Sequence, residues 1–263
     1  VRIIISPAKT MVSGDFLAPQ GIPILCERSR LIADALLSMT KRELQALWKC
    51  SDVVADRAYA STRQLATFDW LNPTNARLTP ALFAYEGLQY QSLAPRVLSE
   101  RALAYLQRNL RILSGFYGVV KPLDGVVPYR LEMQAKLSVD GCRNLYQFWG
   151  DALFREVTDE EGLVVNLASA EYARTMTPFF GNGRPCALVT CSFYENDGTG
   201  RLVSRAAHAK AARGSFVRWC AENNIESAED LPRFDIGYRI DEGRSSATEL
   251  AFVRTDENAP SLT

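Results

Sequence analysis

The stretch Arg111–Met133, RILSGFYGVVKPLDGVVPYRLEM, constrains the fold more than any other part of the chain. Arg111–Ser114 reads as a short strand that ends at a glycine. A loop follows with three glycines (Gly115, Gly118, Gly125), two prolines (Pro122, Pro128) and two tyrosines (Tyr117, Tyr129). Glycine permits positive φ and close backbone approach, while proline holds φ near about −65°, so this loop is stiff and keeps its side chains still. The segment closes in a helix-like run bearing Arg130 and Glu132. Loops carried by a rigid scaffold are where binding and catalytic groups concentrate, and this one is rich in charged and aromatic groups. The plainer reading is a surface connection latched by an Arg–Glu pair.

The elements around this stretch alternate. Arg2–Ser6 is an apolar, β-branched run that fits a buried strand, and Pro7 stops it. Lys9 then lies in a loop at a strand's carboxyl end, where α/β sheets place their ligands. Apolar spacing predicts an amphipathic helix over Ile24–Met39, Thr40-x-x-Glu43 is a capping box for a second through Trp48, and Ser51 starts a third that reaches about Leu65. The intervening turn, Lys49-Cys50-Ser51-Asp52, has no glycine, so plain helix packing is favoured over a phosphate-gripping helix-hairpin-helix. Ala81–Tyr85 reads as a strand, and Ser99 as the cap of a helix over Arg101–Asn109.

Beyond the central loop, Asn144 caps a helix with Tyr146, Phe148 and Trp149, whose aromatic spacing is that of a core face. Leu163–Asn166 is a strand, and Ser169 opens a helix with Glu171 and Tyr172 in its first turn, where a carboxylate complements the helix dipole. Ala187–Tyr194 and Leu202–Arg205 flank the hairpin signal Asp197-Gly198. His208–Glu222 is helical, with Lys210 and Arg213 near its start; the dipole disfavours cations there, so they face solvent or serve an anionic ligand. Phe234–Ile240 and Thr248–Arg254 suggest a closing hairpin. The sum is one mixed α/β domain over residues 1–263, with parallel and antiparallel pairing and flanking helices.

Thirty basic and thirty acidic residues leave no global field to attract nucleic acid. The distribution is uneven: Arg201–Cys220 holds five basic residues and no acidic one, whereas Ala221–Thr263 holds four basic and ten acidic. The six cysteines are scattered without a C-x-x-C pair, a pattern of reduced thiols in a cytosolic protein; Cys186 and Cys191 read as neighbours before and on a buried strand rather than a redox couple. No apolar run is long enough to span a membrane. With His208 the sole histidine and no glycine-lysine phosphate loop, His-rich metal sites, a P-loop and an ordinary Ser-His-Asp triad lack their parts.

Six blocks then resemble, in order and over nearly the whole chain, the YaaA peroxide-stress family. They are Ile5-Ser6-Pro7-Ala8-Lys9-Thr10; Leu113-Ser114-Gly115-Phe116-Tyr117-Gly118; Pro128-Tyr129-Arg130-Leu131-Glu132-Met133; Leu145-Tyr146-Gln147-Phe148-Trp149; Asn166-Leu167-Ala168-Ser169 with Glu171-Tyr172; and Lys210 with Ala212-Arg213-Gly214. The resemblance implies a cytosolic bacterial protein with an unusual single-domain α/β fold, tied to protection from hydrogen peroxide by limiting free intracellular iron. It also implies DNA binding through a positively charged cleft and a helix-hairpin-helix-like element, with no secure enzymatic reaction; neither cofactor nor metal is expected. The chain departs from the family where relatives usually carry Lys or Arg, at Val53, Glu86 and Ala211, where they carry Asp, at Leu88, and where Asp or Asn is expected, at Ala170. Since the log affinity for duplex DNA falls with log salt by about 0.9 per neutralised phosphate, three lost cations weaken a duplex grip and favour a cleft for a defined ligand.

Three functions fit these residues. In the first, Lys9, Arg130, Lys210 and Arg213 hold nucleic acid while Tyr117 and Tyr129 stack on bases. In the second, the same cations, with Asn166 and Ser169, bind a nucleotide-like or other anionic small molecule. There Lys9, Glu132 and Glu171 act as acid or base, and the carboxylates with Asn166 can polarise a water to cleave a glycosidic or amide bond. In the third, the site is a scaffold in which Arg130 and Glu132 pair internally with Glu171 and Lys210.

Overall fold

Ile3, Ile4 and Ile5 have no exposed surface, and the strand they form, β1 (Arg2–Ile5), lies in the middle of the fold. This is a computed structural model, and it describes residues 1–68, 78–158, 162–181 and 186–255. After β1 come β2 (Thr10–Met11) and three helices, α1 (Cys26–Leu37), α2 (Lys41–Trp48) and α3 (Asp52–Gln64). The predicted capping box forms: Thr40 Oγ1 accepts the Glu43 amide, and the Glu43 carboxylate accepts the Thr40 amide at 2.8 Å. Lys49, left-handed at φ 48°, makes the turn from α2 to α3 without a glycine. Ser51 stands at the N-cap of α3, but its side chain makes no capping bond.

The middle of the chain holds β3 (Thr79–Pro80), the single turn α4 (Ala81–Ala84), β4 (Tyr85–Glu86) and α5 (Leu88–Leu93). Next is α6 (Glu100–Asn109), capped by Ser99, whose hydroxyl accepts the Ala102 amide. It feeds β5 (Leu110–Ser114), β6 (Gly118–Val120) and β7 (Gly125–Val126). Two expectations fail in this region. Ala81–Tyr85, predicted as a strand, is α4 followed by the first residue of β4. All four residues of α4 are buried, and an apolar run enclosed on every side carries no period that separates strand from helix. The run bearing Arg130 and Glu132 is irregular chain rather than helix-like, with only a turn from the Ala135 amide to the Glu132 carbonyl at 3.0 Å. Its course is set by tertiary contact: a Cβ on Gly115 would stand 2.9 Å from the Leu131 carbonyl oxygen and 3.1 Å from the Glu132 carbonyl carbon.

The remainder comprises α7 (Leu145–Trp149), capped by Asn144, then α8 (Ala152–Val157), β8 (Leu163–Asn166) and the single turn α9 (Ala170–Ala173). It ends with β9 (Ala187–Asn196), β10 (Leu202–Val203), α10 (Ala206–Asn223), β11 (Tyr238–Ile240) and β12 (Glu249–Arg254). Among the described residues the main sheet has eight strands in the order β11-β12-β9-β8-β1-β5-β6, with β10 paired to β9. β5, β1, β8, β9 and β12 run parallel to their neighbours in turn, whereas β6, β10 and β11 pair antiparallel with β5, β9 and β12. This is the mixed α/β fold that the alternation of elements predicts. Cys186 precedes β9 and Cys191 lies within it, both buried. No helix among the described residues is long and apolar enough to cross a membrane.

The connection from β6 to β7 is fastened by backbone bonds from Gly125 to Gly21 at 2.8 Å and from Ala81 to Asp124 at 2.9 Å. Asp124 itself is buried, and its Oδ2 accepts the Lys121 amide at 2.8 Å. Burial pushes its carboxyl up to about 6, against the Lys121 amide and the charges of Lys121 and Arg111. A folded-state value above the unfolded one means that protonation favours the fold. Asp124 therefore adds stability as pH falls through that value and withdraws it above. Asp124→Asn keeps an acceptor for the Lys121 amide and removes the charge. It is expected to raise stability at neutral pH by up to about 3 kcal/mol, the worth of the full shift. Urea midpoints at about pH 4 and about pH 7 measure this; a variant whose midpoints change with pH as the parent's do contradicts it.

Candidate functional site

β1 lies between β5 and β8, two later strands that flank it on opposite sides, so its carboxyl end is the place where an open α/β sheet leaves a crevice. A cleft of about 320 Å³ opens there. Its walls come from five segments: Ser6–Thr10 after β1, Glu86–Tyr90 at the start of α5, Tyr129–Glu132 in the central loop, Ser169–Tyr172 at α9, and Lys210 with Arg213 on α10.

Ser6 fastens three of these segments together. Its carbonyl accepts from the Gln89 side chain at 3.2 Å and from the Tyr90 hydroxyl at 3.0 Å. Its hydroxyl accepts the Ser169 amide at 2.8 Å and donates to the Ser169 hydroxyl at 3.2 Å. The central loop is held as firmly. Ser114 Oγ accepts the amides of Phe116 and Tyr117 at 3.1 and 2.9 Å and bonds the Tyr129 hydroxyl at 2.7 Å, which in turn reaches the Tyr85 hydroxyl at 2.9 Å. The Trp149 indole donates to the Gly115 carbonyl at 3.0 Å, so the aromatic helix α7 braces the same loop from behind.

Charge is unevenly spent in the cleft. Lys9 Nζ lies 2.8 Å from Glu132 Oε1, and the Arg130 guanidinium lies 4.0 Å from the same oxygen. Burial raises the Glu132 carboxyl, but hydrogen bonds from Lys9 and Gln134 and the charges of Lys9 and Arg130 outweigh it, so Glu132 sits below the usual carboxylate range. Glu171 is shifted the other way. Burial raises it and the charge of Glu132 adds to this, while the Gln134 amide at 3.1 Å and the charge of Lys9 only soften the effect. Arg213 is depressed by burial. Arg130 Nε and Arg213 Nε are both buried with no acceptor among the described residues.

Eight of the residues singled out from the sequence therefore line one cleft: Lys9, Tyr129, Arg130, Glu132, Ser169, Glu171, Lys210 and Arg213. Tyr117 and Asn166 do not. The Tyr117 side chain is buried between Phe116 and Tyr129, where its hydroxyl accepts the Val127 amide at 3.1 Å, so it offers no face to a base. Asn166 spends its amide on Thr190 at 3.2 Å and its oxygen on the Ala168 amide at 3.0 Å, shaping the exit from β8 instead of holding a water. Tyr129 lines the cleft but is itself buried and packed on Phe116, with ring centroids 4.9 Å apart. The internal pairing pictured for a scaffold also differs: Glu132 takes Lys9 as its partner, and Glu171 takes a backbone amide.

Sequence reasoning did not single out Ser6, Gln89, Tyr90 or Gln134 as site residues. Ser6 is hidden as the last residue of an apolar strand run, and the others matter through contacts across the fold that no local pattern announces.

The model of the family described as peroxide stress protein YaaA matches residues 1–244. Similar proteins include a UPF0246 protein of Agathobacter rectalis, 42% identical over 97% of this chain and 99% of its own length. A UPF0246 protein of Desulfitobacterium hafniense is 42% identical over 97% and 98%, and one of Lactiplantibacillus plantarum is 40% identical over 96% and 99%. With four of the family's six blocks lining a single cleft and relatives matching end to end, the chain belongs to the YaaA peroxide-stress family, the UPF0246 proteins.

Proposed function

We propose that this protein acts in the response to peroxide stress by binding a nucleotide-like anion in the cleft beyond β1, either free or at the unpaired end of a nucleic-acid strand. The observation that carries this reading is the pair of buried guanidinium nitrogens, Arg130 Nε and Arg213 Nε, left without acceptors. A buried donor without a partner costs about 1–3 kcal/mol, and a guanidinium meets phosphate with two parallel bonds. Lys210, exposed on α10, adds charge at the rim. A cavity of about 320 Å³ suits a nucleotide-sized ligand.

A grip on duplex DNA is less well supported. Glu86 puts a carboxylate into the lining, Val53 presents an apolar side chain 65% exposed at the start of α3, and α2 and α3 lend no described residue to the cleft. Calorimetric titration with nucleoside 5′-monophosphates, a single-stranded oligonucleotide and a duplex tests the reading. The mononucleotide is expected to bind and to raise the melting temperature, with a shallow salt dependence fitting one or two phosphates. Absence of heat and of any melting shift with mononucleotide and oligonucleotide alike would end it.

A further inference from the structure

Gln134 donates to two carboxylates at once. Its backbone amide goes to Glu171 Oε1 at 3.1 Å and its side-chain amide to Glu132 Oε2 at 3.4 Å, so the two acids are held together in the wall of the cleft. Their surroundings differ in kind. Glu132 is bonded to the Lys9 ammonium at 2.8 Å with Arg130 at 4.0 Å, an arrangement that keeps it ionised. Glu171 is half-buried and has no cation bonded to it among the described residues; it accepts a neutral amide and feels the negative charge of Glu132. Of the two, Glu171 is the one equipped to carry a proton. Environments that drive neighbouring carboxyls apart are how an acid and a base are assigned within one site.

On the footing of the anion-binding reading above, we propose that the cleft hydrolyses the N-glycosidic bond of a nucleotide-like substrate, with Glu171 as general acid and Glu132 as the base for water. The choice of bond follows from the two carboxyls. A heterocycle leaves readily once its nitrogen takes a proton, and water attacking C1′ needs a base, the two roles that Glu171 and Glu132 offer. The guanidiniums of Arg130 and Arg213 are then left to hold the phosphate.

In the step itself the C1′–N bond breaks and its electron pair passes to the heterocycle, whose nitrogen takes the proton of Glu171. The oxygen of a water forms the new bond to C1′ and gives its proton to Glu132. The products are a free base and a sugar phosphate, and exchange with solvent moves the proton back to Glu171.

The test uses the full chain with the 5′-monophosphates of the common ribo- and deoxyribonucleosides. Binding is measured by calorimetry and free base by liquid chromatography. Base release from at least one of them is expected, and Glu171→Gln, which retains an acceptor for the Gln134 amide, is expected to lower the rate by at least about 100-fold while affinity holds within about threefold. Glu132→Gln is expected to lower the rate as well. Nucleotides that bind but release no base, even with enzyme in stoichiometric amount, overturn the hydrolytic proposal and leave the binding reading standing. Failure of every nucleotide to bind removes both. Release that survives Glu171→Gln unchanged overturns the assignment of the acid.

Discussion

Gly214→Ala is expected to destabilise the protein by about 3 kcal/mol or more, the upper end of what overpacking costs in a tight interior. Helix propensity alone points the other way, since alanine is favoured over glycine in a helix interior by about 1 kcal/mol. Steric contact decides the sign. A Cβ on Gly214 would overlap the Gln89 carbonyl oxygen and stand 3.0 Å from the Leu93 amide, and both are backbone atoms of α5 that no rotamer change can move aside. The two helices would have to part, carrying Lys210 and Arg213 away from Gln89 and Tyr90 and loosening the bonds these make to Ser6. Nucleotide affinity should fall along with the denaturation midpoint. Ser215→Ala, one position along α10, is the control and should stay within about 0.5 kcal/mol of the parent. A Gly214→Ala protein as stable as the parent would show that α5 and α10 are not in the close contact described.

Arg213→Met should divide stability from binding. The Arg213 side chain is half-buried with its Nε out of water and unsatisfied, and burial depresses its pKa, so in the unliganded protein it is a cost. A methionine fills similar volume without the donor, and stability is expected to rise by about 1 kcal/mol while nucleotide affinity falls by about 100-fold. Loss of both together would mean that Arg213 is a structural strut; retention of both would mean that the anion is held elsewhere.

Much of the architecture was legible because its causes are local. The burial of Ile3–Ile5, the Thr40–Glu43 capping box, Ser99 and Asn144 at their caps and the hairpin at Asp197-Gly198 each follow from a few adjacent residues. The errors fall where neighbours distant in sequence decide. Ala81–Ala84 is enclosed on all sides, so its pattern had no exposed face to read. The Leu131–Met133 backbone is steered by Gly115, and Tyr117 and Asn166 are consumed by bonds to Val127, Ala168 and Thr190. For the site, the charged residues could be named from the sequence. That Gln134 bridges Glu132 and Glu171, which distinguishes a proton donor from an ion pair, depended on the irregular path of the central loop.

The cleft joins Lys9, from the first turn after the opening strand, to Arg213, on the helix that follows the last hairpin but one. During synthesis the early half of the site must therefore wait until α10 has emerged before it can hold anything. A molecule seated there clasps the Ser6–Thr10 loop to α10, so occupancy should protect α10 from proteases, and fragments stopping short of α10 should give up the ligand entirely.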